Sequence, residues 1–534
     1  MALTILIAIL SLLLTSSSPT SSLNRAHESF MRCFHDRTSS TSSQLIYTPK
    51  TAGYNSILNS SIQNNRFLFS PTSKKPALIV TPTAESHVQA AVICSRKHGL
   101  HVRARSGGHD YEGMSYISEG RGDDQFIAVD LSNLRSIAVD AEQGTAWVQA
   151  GATLGELYYT IAAKNRTTAF SAGTCPTVGV GGHFSGGGIG VLSRKYGLAA
   201  DSVVDAKVVD VNGRLLNREC MGEDYFWAVR GGGAASFGIV VSFKIKLVAV
   251  PPIVTAFNVI RTLKEGATEL VGKWQRIGPN LDEDLYVRID VQAINDSNAK
   301  GNRSIEAAFS SLYLGRCKEL IAVMERSFPE LGFEAKDCNE MSWLESVLYF
   351  SGYSGKPTEM LMNRTRQFDI SFKAKSDFVE EAVSEEGLEE IWRFLMEARD
   401  QPVTLIMEPF GGIMSEISES AIPFPHRKGN LYMIQYIMPW LETDLKTTER
   451  HLSWMRKLYD FMTPYVSKNP RAAYVNYKDI DLGMNDEHAS YSKGRVWGLK
   501  YFKNNFKRLS YVKNKVDPDN FFKNKQSIPP LRLL

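Results

Sequence analysis

Several common chemistries are missing from this chain. No GxxxxGK[ST] occurs, which excludes a P-loop, and no HExxH or Cys-x-x-Cys spacing marks a metal site. GxSxG is absent too, so there is no nucleophile elbow. Neither glycine-rich loop shows strand–GxGxxG–helix with an acid about twenty residues on, the pattern of a Rossmann dinucleotide site. His109 and His183 lack a third ligand for zinc. Charge of one sign is scarce: 61 Lys+Arg against 57 Asp+Glu leave a formal +4 on 534 residues. That is no nucleic-acid surface. Lys and Arg do gather near the C terminus (Lys500, Lys503, Lys507, Arg508, Lys513, Lys515, Lys523, Lys525), but acidic and aromatic residues interrupt them, which reads as a solvated helix face. Beyond the N terminus no apolar run is long enough to span a bilayer, and there are no internal repeats.

What is present points to a secretory route. Ala2 to Leu14 is almost wholly apolar and leads into a Ser/Thr run, the pattern of a signal peptide over 1–22, although its n-region lacks Lys and Arg. An extracellular, cell-wall or vacuolar destination follows. Five Asn-X-Ser/Thr sequons agree with it, at Asn59, Asn165, Asn295, Asn302 and Asn363. Of six cysteines, Cys33 and Cys94 form the candidate disulfide of an oxidising compartment. Spacing alone fixes no pairing, and Cys220, Cys317 and Cys338 stay unassigned.

The length argues for two or three domains. Helices are predicted over Leu23–Arg37, Ala84–His98, Leu154–Lys164 and Glu385–Arg399, with strands over His101–Arg105, Phe126–Leu131, Thr145–Ala150, Val203–Val211 and Phe237–Val248. Asn212-Gly213 is the best short hairpin signal. Pro251-Pro252 ends the glycine-rich part. The expected division is 23–250, a second α+β domain over 251–471, and a segment 472–534 that returns to the first domain.

Two glycine loops carry the chemistry. One is Arg105-Ser106-Gly107-Gly108-His109-Asp110-Tyr111-Glu112-Gly113. The other runs from Thr174 to Gly188, where six of fifteen residues are glycine and Cys175 stands just ahead of them. Glycine lets the backbone come close to a bulky anion, and successive N–H groups can hold phosphate oxygens. Each loop also carries one nucleophile, His109 or Cys175. Without the loops, a core histidine and a spare cysteine would be the better explanation.

These loops closely resemble those of the plant berberine-bridge-enzyme-like flavoproteins. The resemblance continues through Lys195-Tyr196-Gly197-Leu198-Ala199-Ala200-Asp201, Arg230-Gly231-Gly232-Gly233 and Ile422-Pro423-Phe424-Pro425-His426-Arg427. It ends with Tyr474-Val475-Asn476-Tyr477 and Asp517-Pro518-Asp519-Asn520-Phe521-Phe522, in order over nearly the whole mature chain. It implies an α+β, vanillyl-alcohol-oxidase/PCMH-type fold: an FAD-binding domain split in sequence (core about 72–250) and an inserted substrate domain. It also implies FAD attached twice, His109 to the 8α-methyl carbon and Cys175 to C6 of the ring. Non-covalent contacts are implied from Ser106, Gly107, Gly108, Ser115, Val178, Gly179, Gly182, His183, Ser185, Gly186, Gly188, Gly238, Ile239, Tyr474 and Asn476.

On the substrate side, Tyr477 matches the family's tyrosine base, which needs a lowered pKa to work at neutral pH. Gln435 is expected as its hydrogen-bonding partner, with Tyr196 lining the same cavity. Met433 shares the strand face of Gln435 by the two-residue period. Family members often have a charged residue there, acidic or lysine, so Met433 argues against a carboxylate base at that position. Val178, at the family's oxygen-gating position, is small, as in members that use O₂. The expected activity is that of a monomeric oxidase. It takes hydride from a small plant metabolite (an alkaloid, phenolic, alcohol, sugar or monolignol) after proton removal by Tyr477, reduces O₂ to H₂O₂, and in some cases closes a ring. A redox-neutral cyclase and a binding protein with a vestigial site are the alternatives.

Overall fold

The computed structural model describes residues 19–38, 42–70, 73–118, 125–295, 303–366, 368–486 and 488–532. The expected leader, apart from residues 19–22, and the sequon at Asn302 lie outside them.

Three sheets organise the chain. The first has the order Ile46–Tyr47, Leu78–Val80, Phe126–Asp130, His101–Arg105, and Phe126–Asp130 pairs in parallel with the strands on either side. Helix Glu85–Lys97 makes the crossover between Leu78–Val80 and His101–Arg105. Leu78–Val80 and Phe126–Asp130 are buried throughout, and strands covered on both faces have no polar alternation. The second sheet is antiparallel, in the order Ile137–Asp140, Thr145–Gln149, Ile239–Lys246, Val203–Val209, Leu215–Leu216. Between Thr145–Gln149 and Val203–Val209 the chain forms helix Leu154–Lys164, opened by a reciprocal Thr153/Glu156 capping box, and then the Cys175 loop.

The third sheet has seven antiparallel strands, in the order Asn339–Met341, Val254–Thr262, Arg303–Tyr313, Leu285–Asn295, Thr404–Pro409, Tyr432–Trp440, Ser371–Val379. Amphipathic helices cover one face, Ala267–Ile277 and Glu385–Glu397 among them, burying Trp274, Leu388, Ile391 and Trp392. The opposite face meets the glycine loops. The fold is thus α+β, and the part that holds the first two sheets is interrupted by a separate sheet domain. From residue 472 the chain goes back to the first part: Lys513 Nζ donates to the Ser236 carbonyl at 2.6 Å, and Arg508 pairs with Asp224 at 2.8 Å.

Several local expectations need correction. The first helix is longer than predicted and starts at Pro19. The hairpin turn is centred one residue earlier than Asn212-Gly213. The Gly213 N–H donates to the Asp210 carbonyl, the Asp210 N–H donates to Arg214, and Gly213 takes φ +76°. That is a three-residue loop whose left-handed glycine closes a type I turn. Lys513 is not on a solvated face; it is buried, and besides Ser236 it bonds Asp517 and the Phe522 carbonyl.

Cys33–Cys94 is a disulfide, joining the first helix to Glu85–Lys97, with Cα atoms 5.7 Å apart. Cys317–Cys338 is a second, while Cys175 and Cys220 are free. Asn59, Asn165, Asn295 and Asn363 are all exposed. Among the described residues no helix is long and apolar enough to cross a membrane, and no cluster of His, Cys, Asp and Glu could hold a metal ion.

Candidate active site

The two glycine loops touch each other. A Cβ on Gly107 would stand 2.3 Å from the Gly179 nitrogen, and one on Gly179 would stand 2.2 Å from the Gly107 nitrogen. Neither position tolerates a side chain, and this closeness brings His109 and Cys175 together. Thr177 sits between them: its hydroxyl is 2.9 Å from His109 Nε2 and 3.6 Å from Cys175 Sγ. Burial pulls the His109 pKa down to about 4, so the imidazole is neutral and keeps a nucleophilic lone pair. Burial pushes the Cys175 thiol up, against hydrogen bonds from Thr177 and Val178 that favour the thiolate.

His109, Cys175 and Thr177 open onto a cavity of about 440 Å³. Of the residues expected at a flavin, Ser106, Gly107, Gly108, Ser115, Val178, Gly179, Gly182, His183, Ser185, Gly238 and Asn476 line it, and Tyr477 does as well. The lining suits a dinucleotide. A Cβ at Gly182 or Gly233 would meet nothing within 4 Å, so the backbone there borders open space. Ser115 Oγ is buried without a partner. Backbone lying bare to a cavity, with an orphaned hydroxyl beside it, is what a large polar ligand fills.

Gly186, Gly188, Ile239 and Tyr474 do not line the cavity. The Tyr474 hydroxyl accepts from Gly188 N (2.8 Å), Ile189 N (3.3 Å) and Asn476 Nδ2 (2.9 Å), fixing the end of the second loop. His183 Nε2 accepts from Gly173 N at 2.9 Å, and burial pulls its pKa down to about 4.

The substrate-side expectations fare less well. Tyr196 turns away from the cavity and donates to the Ala249 carbonyl. Gln435 Nε2 donates to Tyr111 Oη at 2.7 Å, not to Tyr477. Tyr111 in turn stacks on Tyr477, with ring centroids 5.3 Å apart and planes 7° from parallel. No described residue hydrogen-bonds the Tyr477 hydroxyl. Its pKa is raised well above that of a free phenol, by burial first and then by Glu408, Tyr111, Tyr474 and Tyr286. None of these groups supplies the lowering that a phenolate base requires. Met433 is buried on its strand, opposite Glu408.

Sequence reasoning missed Tyr111, Thr177 and Lys478. Tyr111 and Thr177 lie two residues from a predicted nucleophile, so the signal was at hand. Lys478 also lines the cavity, and burial pulls its pKa down to about 8 against the opposing effect of Asp110.

Among known proteins, residues 76–218 match the family model described as an FAD binding domain, and residues 473–529 match the one described as berberine and berberine like. The tetrahydroberberine oxidase of Argemone mexicana is 50% identical over 99% of this chain and 96% of its own length. Berberine-bridge-enzyme-like protein 28 of Arabidopsis thaliana, a solved structure, superposes with a TM-score of 0.87 at 49% identity, covering 95% of this chain and 100% of the other. Phl p 4, a grass pollen allergen with glucose dehydrogenase activity, superposes with a TM-score of 0.88 at 45% identity, covering 94% and 99%.

Proposed function

The chain belongs to the berberine-bridge-enzyme-like family of FAD-linked oxidoreductases, and on that premise we propose that it is a secreted oxidase whose flavin is bonded to both His109 and Cys175. One observation carries this reading. Two nucleophiles from loops far apart in sequence meet over the Thr177 hydroxyl, at the lip of a cavity walled by glycine. A neutral imidazole and a thiolate are both nucleophiles, and the flavin ring is an electrophile. When bound, the flavin supplies the two-electron acceptor for a substrate hydride and returns the electrons to O₂ as H₂O₂.

The chain's own residues hold and orient. Ser106, Gly107, Gly108, Ser115, Gly179, Gly182, His183, Ser185, Gly238 and Asn476 bind the dinucleotide, while Tyr474 holds Gly188 at the end of the second loop. Ser106 Oγ donates to the Ala150 carbonyl at 2.5 Å, which pins the first loop to the second sheet. Val178 keeps the oxygen approach open. Tyr111 and Tyr477 form a stacked aromatic wall for the substrate, with Gln435 holding the Tyr111 hydroxyl.

The test is retention of colour. Acid-precipitated native protein is expected to stay yellow, and peptides spanning His109 and Cys175 to carry the flavin mass. His109→Ala with Cys175→Ala should release all colour to the supernatant. A double variant whose pellet stays yellow would refute the attachment.

A further inference from the structure

Two segments far apart in the chain bring one tyrosine each to the wall. Tyr111 comes from the His109 loop and Tyr477 from the returning C-terminal segment, and both rings line the cavity. Phe372, at the start of strand Ser371–Val379, lines it too and meets Tyr111 edge-on at 5.2 Å. Gln435 holds the Tyr111 hydroxyl. No described residue does the same for Tyr477, so hydrogen bonds on the cavity side do not fix the stack.

What fixes it lies behind the rings. Side chains alternate along a strand, so Phe372 faces the cavity and Lys373 the opposite side. Ser371–Val379 is the last strand of its sheet, which leaves a free edge round which neighbouring segments reach that lysine. The Lys373 ammonium donates to Glu112, the residue after Tyr111, and at 2.8 Å to Asp479, two residues after Tyr477. All three are buried, so one Nζ atom is shared by a carboxylate from each tyrosine-bearing segment. Arg66 takes the other Glu112 oxygen at 2.6 Å and donates to the Tyr111 carbonyl at 3.2 Å, while Lys375 takes the other Asp479 oxygen at 2.5 Å. Charge-assisted bonds of this kind are short and geometrically specific, and they carry position to the backbone from which the rings extend.

We infer that Lys373 is a positioning residue for the substrate wall, setting the separation of Tyr111 and Tyr477 from behind. Its action is electrostatic as well as steric. Without the ammonium, two buried carboxylates are left facing each other, and like charges in a site without water repel. Arg66 and Lys375 each neutralise one of them, but neither bridges the two segments. The tyrosines therefore move apart, and a substrate resting on the rings loses its fixed place against the flavin. The inference rests on the flavoenzyme reading only for what the wall faces, since the bridge itself belongs to the fold.

The test reads the stack directly. Flavin-loaded protein is photo-oxidised with ruthenium tris-bipyridyl and persulfate, and coupled peptides are quantified by mass spectrometry. One electron and one proton leave each phenol, and the two phenoxyl radicals join through a carbon–carbon bond. The yield of a Tyr111–Tyr477 peptide lacking two hydrogens thus reports how closely the rings are held. Native protein should give that peptide. Lys373→Met should lower its yield at least about tenfold, since a displacement of about 1 Å can cost about a hundredfold where reacting atoms must meet. Adding Glu112→Gln removes the repulsion and should restore much of the yield, a recovery that a mere loss of packing would not show. Lys513→Met deletes another buried, ion-paired lysine outside the cluster and should lower Tm while leaving the yield unchanged. No coupled peptide from native protein, an unchanged yield in Lys373→Met, or an equal fall in Lys513→Met overturns the inference. Should Lys373→Met fail to fold, Lys373→Gln, uncharged but still able to donate, takes its place with the same expectation. Colour in the acid pellet reports on the flavin linkage independently.

Discussion

Lys373→Met removes one ammonium from the middle of a buried ionic cluster and leaves its partners in place. Lys373 Nζ bonds Glu112 and, at 2.8 Å, Asp479; Lys375 bonds Asp479 at 2.5 Å and lies 2.9 Å from Asp481. Arg66 holds the other Glu112 oxygen at 2.6 Å, and Arg456 holds Asp481 at 2.9 Å. Glu112 comes from the His109 loop, the lysines from strand Ser371–Val379, and the aspartates from the returning C-terminal segment. The cluster therefore ties all three parts of the chain together. Breaking a buried pair costs about 3–5 kcal/mol because a charge is left uncompensated. Here Glu112 keeps Arg66 and Asp479 keeps Lys375, which puts the cost near the lower end, about 3 kcal/mol. An unfolding entropy of about 2.1 cal/mol/K per residue makes that a fall of about 3 °C in Tm for a chain of this size melting as one unit.

The pH dependence adds a second constraint. Asp479 and Asp481 have pKa values held down chiefly by the two lysines, against burial, while the carboxylates hold that of Lys373 up. A lowered carboxylate contributes stability above its unfolded pKa of about 4 and loses it as pH falls through the folded value; a raised lysine contributes below about 10.4 and loses it as pH rises. The penalty for Lys373→Met should be flat between about pH 5 and about pH 9. Toward pH 3 it should shrink, as the stranded carboxylates take up protons. Adding Glu112→Gln removes one of those carboxylates and should recover part of the loss. Differential scanning fluorimetry at matched flavin content measures all of this. A variant that melts within about 0.5 °C of the native protein throughout would refute the assignment of the cluster as a clasp.

Thr177→Val should slow covalent flavin incorporation at least about tenfold, seen as colour retained in acid pellets over time, because it removes the hydroxyl shared by His109 and Cys175; an unchanged rate would count against a positioning role. His183, with its pKa lowered to about 4, must stay neutral in the fold, so Tm should fall as pH drops from about 6.5 toward about 4, and His183→Gln should flatten that slope. Opening Cys33–Cys94 with paired serines should cost about 4 kcal/mol and opening Cys317–Cys338 about 3 kcal/mol, since the loops they close differ in length; chemical denaturation of the two double variants gives the order.

The parts of the site that are local in sequence were legible, and the parts assembled across strands were not. His109 and Cys175 stand inside loops whose glycine content already requires close backbone approach, and the structure packs those loops against each other as that requirement implies. Cys33–Cys94 is a candidate that spacing alone cannot fix, and Cys317–Cys338 is unassigned until the fold brings the two together. The Asn212-Gly213 signal located a turn, but Asp210 decides its length, its carboxylate accepting from Asn212 N and Arg214 N. Tyr196 was misplaced because a residue beside a glycine loop in sequence need not point where the loop points. Its hydroxyl is captured by Ala249, at the edge of the inserted domain. Glu408 and Arg288 could not be found at all, since only the register of the seven-stranded sheet puts them on the face of Gln435.

That register also bears on which hydride donor the site suits. A carbinol must lose its O–H proton as hydride departs, and Tyr477 would have to be a phenolate to accept it. Burial and the anionic or phenolic groups around Tyr477 oppose that ionisation. A lysine at 433 would reverse that balance, because a cation on the same face favours the phenolate. Methionine stands there, and the nearest guanidinium on the face is committed to Asp290. A carbon beside an amine nitrogen needs no phenolate, since the lone pair takes up the charge once the ammonium proton is gone. The raised pKa of Tyr477, to which buried Glu408 itself contributes, is thus linked to the class of donor the site accepts. Restoring the cation tests the link between them: Met433→Lys should lower the Tyr477 pKa, seen as phenolate absorbance emerging at lower pH, and shift the preference from amine toward carbinol donors. A variant with the phenolate shift but no change in preference would show that Tyr477 does not set the substrate class.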